Sequence, residues 1–234
     1  MSRKSFALAI AIILLLGGLV GATGFVLVRH VPSFYNRCDL PPGSERRRLA
    51  DEFDGELGNR LLGGILNEEE HWQVNFRESQ LNAFLAEGLL KKYTLESPFP
   101  EGVSAPRVSL GNDRIRIGFR YGFRRISTVI SVELRPWMAV EDPNVLALEF
   151  VSLHAGAIPI SSQWLLEKVA EAARPLKIDV SNYRYNKHPV LVLRFQADRS
   201  NPTFQLSQVK VVGQVNSEPG FIRIAGKPSE KPKG

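Results

Sequence analysis

The pattern of apolar positions divides the chain into two regimes. From Phe6 to Val28 no residue is charged, and the run starts two positions after Arg3 and Lys4. An apolar stretch of about 20 residues spans a bilayer core of about 30 Å as a helix. Val20-Gly21-Ala22 offers the small residues of a signal-peptide cleavage site. The run nevertheless continues through Phe25, Val26, Leu27 and Val28, longer than a cleavable apolar segment needs. That length favours an uncleaved anchor.

Beyond the span the apolar residues are periodic. Pro32, Pro41, Pro42 and Gly43 mark Pro32–Ser44 as a linker. Leu49, Phe53, Leu57, Leu61 and Ile65 recur every four residues and predict a helix over Glu45–Asn67. Gly55, Gly58, Gly63 and Gly64 weaken it, so it is expected to fray after Leu62. Trp72, Val74 and Phe76 predict a short strand with those three on one side, and a helix follows over Glu78–Tyr93 through Leu81, Phe84, Leu85, Leu89 and Leu90. Ser97–Pro106 reads as a loop.

The β pattern is clearest after Asn112-Asp113, which suit a tight turn. Ile115, Ile117, Phe119, Tyr121 and Phe123 alternate with Arg114, Arg116, Gly118, Arg120 and Gly122. The apolar phase then moves to Ile126, Thr128, Ile130, Val132 and Leu134, which predicts a turn or bulge near Gly122–Arg125. A strand is expected over Val145–Leu153. Ser161 or Ser162 is a suitable N-cap for a second helix with the stripe Trp164, Leu165, Val169 and Ala172, ended by Pro175. Strands near Ile178–Tyr185, Val190–Gln196, Phe204–Val215 and Phe221–Ile224 complete the pattern.

These elements predict an α+β fold: an N-terminal transmembrane helix followed by a curved, mainly antiparallel sheet packed on two helices. Several strands are two to four residues apart, too close for parallel crossovers. The expected organisation is an anchor over 1–30, a linker and juxtamembrane helix over 31–70, an α+β domain over 71–226 and a disordered tail over 227–234.

Charge adds the question of sidedness. Arg3 and Lys4 precede the span while Arg29 and Arg37 follow it, so the positive-inside count nearly balances. The short N-terminal tail places itself in the cytoplasm and the domain outside, at the cell membrane. The net charge of +6 suits anionic head groups as well as ordinary solubility. Nucleic acid is a poor partner outside the cytoplasm. Gly17 and Gly21 form a G-x-x-x-G, a route to a homodimer, although glycine is also common in membrane helices. Cys38 stands alone, so no internal disulfide forms and the fold rests on its core.

Catalytic signals are sparse. The chain has no G-x-S-x-G, phosphate-binding loop, G-x-G-x-x-G or H-E-x-x-H. His30, His71, His154 and His188 are scattered, with His188 expected in a hairpin turn. Glu68, Glu69 and Glu70 before His71 read as a solvated loop rather than a metal site, and Ser152 near His154 lacks a third partner. No catalytic residue, metal or cofactor is assigned, and the chain is read as a non-enzyme. The ribbon from Arg114 to Arg125 is more distinctive. Arg114, Arg116 and Arg120 share one face, suited either to head groups or other anions, or to pairing with acidic neighbours.

The segment Val74-Asn75-Phe76-Arg77-Glu78-Ser79-Gln80-Leu81-Asn82-Ala83-Phe84-Leu85, a strand stepping into a helix that opens Leu-Asn-Ala, resembles the YpmS family of bacterial membrane-anchored proteins. Gly156-Ala157-Ile158-Pro159-Ile160 before the second helix is similar to that family's Gly-x-x-Pro turn. The resemblance covers most of residues 1–200 and implies a domain related in shape to tubular lipid-binding (TULIP-like) domains. Asn82, with two donors and an acceptor, is expected to tie its helix to the strand Trp72–Phe76.

The leading expectation is a single-pass membrane protein whose extracytoplasmic domain binds a lipid or lipid-linked molecule. Leu81, Phe84 and Leu85 would face Ile115, Ile117, Phe119 and Tyr121 across the apolar site, with Arg114, Arg116 and Arg120 as head-group or anion contacts. The rival expectation is a structural or assembly module with a closed core that binds another envelope protein.

Overall fold

The computed structural model describes residues 3–66, 71–88, 101–123, 126–139, 142, 144–173, 178–196, 203–216 and 218–228. Helix α1 runs Arg3–Arg29. At 1.5 Å per residue it is about 40 Å long, enough to cross a bilayer. Leu14, Leu15 and Val20 on it are 70–72% exposed. Among its described side chains this apolar surface is exposed, and α1 is long and apolar enough to cross a membrane.

The rest is α+β, as the periodicity predicts. The larger sheet is antiparallel throughout, in the order β2 (Val103–Gly111), β3 (Arg114–Phe123), β4 (Ile126–Met138), β5 (Val145–Ala155), β8 (His188–Arg194), β7 (Asp179–Tyr185), with the short β6 (Ile158–Pro159) beside β5. The smaller sheet is β1 (Trp72–Arg77), β10 (Phe221–Pro228), β9 (Phe204–Val212).

The β3–β4 junction decides between the two alternatives, turn or bulge, in favour of the turn. Pairing runs unbroken from Ile115↔Leu134 to Phe123↔Ile126. In such a hairpin every odd residue of one strand faces an even residue of the other, so the phase change is the signature of the hairpin and no bulge is required. Register shifts occur instead between Ser104 and Arg107 on the β2–β3 side and between Glu133 and Leu134 on the β4–β5 side. Asn112-Asp113 does join β2 to β3, with Asp113 at φ +55°. Asn186 and Lys187, both at positive φ, join β7 to β8 as a tight hairpin turn.

Short helices cover the sheets. Helix α2 (Ser33–Arg37) is followed by α3 (Ser44–Gly55), a π-helical stretch Glu56–Leu62 and α4 (Gly63–Leu66). The glycine-rich stretch widens rather than frays, which its weak α propensity permits. Helix α5 (Glu78–Ala83) passes into a π-helical turn Phe84–Gly88, and α6 spans Gln163–Ala173. The expected continuation to Tyr93, with Leu89 and Leu90, lies outside the described residues, as do Arg124, Arg125, Glu68 to Glu70, Pro175 and the end of the tail.

The stretch Pro32–Ser44 is not a free linker. Phe34 and Tyr35 of α2 are buried, Tyr35 completely, against Val129. Gly118 makes the seat: a Cβ there would lie 2.8 Å from the Tyr35 ring and 3.2 Å from Phe34. One missing side chain between Arg116 and Arg120 therefore lets α2 lie on the arginine face of β3.

The main core lies on the opposite face of the large sheet. Ile130, Val132, Leu134, Phe150, Leu153 and Leu191 form it, and Leu165, Leu166 and Val169 of α6 pack onto it. A second cluster joins the two sheets through Val108, Leu110 and Val211. A third packs Phe53 of α3 on Val74 and Phe76 of β1.

Candidate functional site

Helix α1 ends against the domain. Its last carbonyls have no partners within the helix, and the domain supplies them. The Ala157 N–H donates to Leu27 O at 2.8 Å, and the Thr128 hydroxyl donates to Val28 O at 2.6 Å. Gly156, at φ +62°, allows the approach, since a Cβ there would land on the Leu27 and Val28 carbonyls. The β3–β4 end of the large sheet is thereby fixed beside the end of the span.

This junction orients the apolar row of β3. Thr128 pairs across the hairpin with Tyr121. The row Ile115, Ile117, Phe119, Tyr121 thus runs toward the end of α1. Its exposure rises to 38% at Tyr121. Ile160, at the turn after β6, is equally exposed.

The candidate lining residues do not all meet in one place. Leu81, Leu85, Ile115 and Ile117 all pack against the Val108–Leu110–Val211 cluster of β2 and β9. Phe84 instead stacks on Phe53, ring centroids 4.5 Å apart, under the small sheet. Phe119 packs on the main core on the α6 side. Leu85 also borders a cleft of about 380 Å³ with Cys38, Arg46 and Arg107.

The arginine face is largely engaged. Arg114 and Arg116 both pair with Glu133, Arg116 Nε at 3.0 Å. Burial alone would raise the Glu133 carboxyl, but the two guanidinium groups outweigh it and hold the acid below its ordinary value. Arg120 lies 5.9 Å from the Tyr35 ring, and Arg107 lies over the same ring at 4.3 Å. Tyr35 is tied further by its hydroxyl to Ala105 O at 2.7 Å. The alternative of pairing with acidic neighbours describes Arg114 and Arg116.

Asn82 is structural in geometry, but its target differs from the expected strand. Its Oδ1 accepts from the Val108 N–H at 2.8 Å and its Nδ2 donates to Val108 O at 2.7 Å and Glu78 O at 2.9 Å. It therefore ties α5 to β2, not to β1. Beside it Glu78 accepts from the Leu110 N–H at 2.6 Å. Cys38 is buried with its thiol 3.6 Å from Glu78. Burial, then the Glu78 charge, pushes the thiol up to about 11.

Sequence reading missed a buried carboxylate. Glu149 is 2% exposed and takes a contact from His188 Nδ1 at 2.6 Å and from Arg135 Nε at 2.7 Å. His188 stands at the start of β8, not in the turn. Burial would raise the Glu149 carboxyl, but the bonds from His188 and Arg135 hold it below its ordinary value. The available signal was a lone acid inside the apolar run Val145–Leu153. Ser152, His154 and His188 border a shallow cleft of about 270 Å³, with no hydrogen bond between them among the described residues.

Two larger clefts flank β7. One, of about 750 Å³, lies between Trp137 of β4, Tyr183 and Tyr185 of β7, and Lys210 of β9. The other, of about 630 Å³, lies between α6 and the opposite face of β7, at Asn182 and Arg184. No protein-family model matches this chain, and no curated protein or solved structure matches it either.

Proposed function

We propose that this chain is a single-pass membrane protein whose domain lies outside the cytoplasm and binds a lipid or lipid-linked molecule at the bilayer surface. The observation that supports the reading is the junction at Gly156. It fixes the sheet so that Ile115, Ile117, Phe119 and Tyr121 form a row leading toward the end of the span. An acyl or isoprenoid chain leaving the bilayer would meet Tyr121 first and Phe119 next. Burial of that chain would contribute about 25 cal/mol per Å² before the cost of association.

The test is lipid retention by the full chain in detergent. After exhaustive detergent washing, mass spectrometry of the organic extract should find one lipid class in near-stoichiometric amount. Phe119→Asp should remove it. Tyr121→Asp, at a more exposed position, should weaken retention while the circular dichroism spectrum stays that of the parent. Equal lipid content in all three proteins would sink the proposal.

The second reading, an envelope assembly module, draws on a different observation. Arg114 and Arg116 are spent on Glu133, and the cleft of about 750 Å³ beside β7 is lined by no residue of the Gly156 junction.

A further inference from the structure

A sheet edge carries unpaired backbone N–H and C=O groups, which bind water, a cap or another strand. In this protein two edges are capped by side chains. On β2, Asn82 bonds both backbone groups of Val108 and Glu78 bonds the Leu110 N–H. On β9, Asn144 does the same for the next edge: its Nδ2 donates to Phe204 O at 2.8 Å and its Oδ1 accepts from the Leu206 N–H at 2.7 Å. Asn112 Oδ1 takes the Gly213 N–H just past β9. Edge β1 lies against the π-helical stretch after α3.

Edge β7 is different. It ends the large sheet, and six of its seven residues are exposed. Among the described residues no strand and no side chain bonds its outward backbone groups. The clefts of about 750 and 630 Å³ lie on its two faces. Tyr183 and Tyr185 point to the aromatic one, where Trp137 stands 6.0 Å from the Tyr185 ring. Asn182 and Arg184 face the polar one, with Lys187 at its rim.

We infer that β7 is a docking edge for an extended segment of a partner protein, added to the large sheet as one more strand. Side chains of an added strand alternate between the two faces. Every second residue would enter the aromatic cleft and the others the polar cleft. Backbone bonds to β7 then supply affinity and the clefts supply sequence preference. Charge decides the occupant. On the polar cleft Arg184 and Lys187 have no ion pair among the described residues and outnumber its one lining acid, Glu167, whereas Asp179 is already near Arg194 at 3.8 Å. The segment that fits alternates apolar or aromatic residues with Asp or Glu, placing the acids beside Arg184 and Lys187. A second copy of this chain would bring one acid of β7, Asp179, and with it the like charges of Arg184 and Lys187, so it matches the edge less well than a segment with several acids. This inference does not depend on lipid binding.

The probe is a fluorescent, end-blocked nonapeptide alternating glutamate with valine and phenylalanine, titrated by anisotropy into the full chain in a neutral detergent. Saturable binding is expected. It should weaken by at least about tenfold when the peptide is scrambled or N-methylated along the edge that would face β7, since either change removes the backbone ladder. Arg184→Glu should weaken the glutamate peptide and strengthen its lysine counterpart. Binding that survives methylation of each edge in turn would overturn the inference, because plain charge attraction then suffices. Self-association of the chain that the peptide cannot displace would overturn it in favour of a second copy.

Discussion

Gly156→Ala probes the coupling between the membrane span and the domain. The glycine sits at φ +62°, where an L side chain costs about 1–2 kcal/mol. The added methyl would also meet the Leu27 and Val28 carbonyls, so the end of α1 must withdraw. Withdrawal breaks the bonds at 2.8 Å from Ala157 N–H and 2.6 Å from the Thr128 hydroxyl. At about 1 kcal/mol each, the docked arrangement loses about 2 kcal/mol. That corresponds to about 30-fold in the opening equilibrium, since about 1.4 kcal/mol is tenfold. Hydrogen exchange on the full chain in nanodiscs reads this directly at the Ala157 amide, whose acceptor is Leu27 O. Exchange should accelerate about 30-fold in Gly156→Ala and about fivefold in Thr128→Val, which removes a single hydroxyl bond. Thr128→Ser, which keeps the hydroxyl, should match the parent. Parental exchange at Ala157 in the Gly156→Ala protein would refute the reasoning, because the junction would then tolerate a side chain that the geometry excludes.

Other predictions concern the domain itself. Gly118→Val should displace α2 from the arginine face and cost about 1–3 kcal/mol by overpacking, read in thermal or denaturant unfolding; an unshifted midpoint would contradict the Tyr35 seat. Asn82→Leu should cost at least about 2 kcal/mol, because two buried groups of Val108 lose their partner at about 1–3 kcal/mol each; a loss under about 1 kcal/mol would mean water or a neighbour replaces the amide. Glu149 has a depressed folded pKa, so its stabilisation is present above the ordinary carboxylate range, about 4.3, and is lost as pH falls through the folded value. Denaturant midpoints between pH 6 and pH 3 should therefore fall more steeply in the parent than in Glu149→Gln. Cys38, held up at about 11, should resist iodoacetamide at pH 7.5 until the domain is unfolded; labelling of the folded chain at the unfolded rate would argue against its burial.

Much of the fold is legible where one face of an element is apolar. The Trp72, Val74, Phe76 alternation gives β1 with those three residues buried. The β3 and β4 patterns give two strands with a change of apolar phase between them, which the structure resolves as a hairpin. What escaped the reading depends on contacts distant in sequence. Nothing local to Phe34 or Tyr35 announces that they pack on Gly118, and prolines on either side argue for a linker instead. Glu149, Arg135 and His188 belong to three strands and meet only through the sheet order β4, β5, β8. Asn82 was legible as a tether because an amide near a helix start needs partners. Its strand was not, since β1 precedes the helix directly while β2 is reached only after residues 89–100.

The edges carry the argument furthest toward function. A chain that binds Asn82 to one edge and Asn144 to another, each amide bonding a backbone donor and a backbone acceptor, closes those edges with the side chain best shaped to imitate a strand. The same chain places on β7 two tyrosines, an arginine and a lysine-bearing turn, and among the described residues nothing bonds its outward backbone groups. Charge on an edge also deters indiscriminate pairing, so Arg184 and Lys187 serve selection as well as attraction: they repel like-charged strands and admit acidic ones. Because the Gly156 junction fixes the large sheet to α1, a strand docked on β7 would be held at a set orientation to the bilayer. A flexible tether would not provide that, so loosening the junction with Gly156→Ala should leave peptide affinity unchanged while broadening the distance distribution between a spin-labelled peptide and a label in α1.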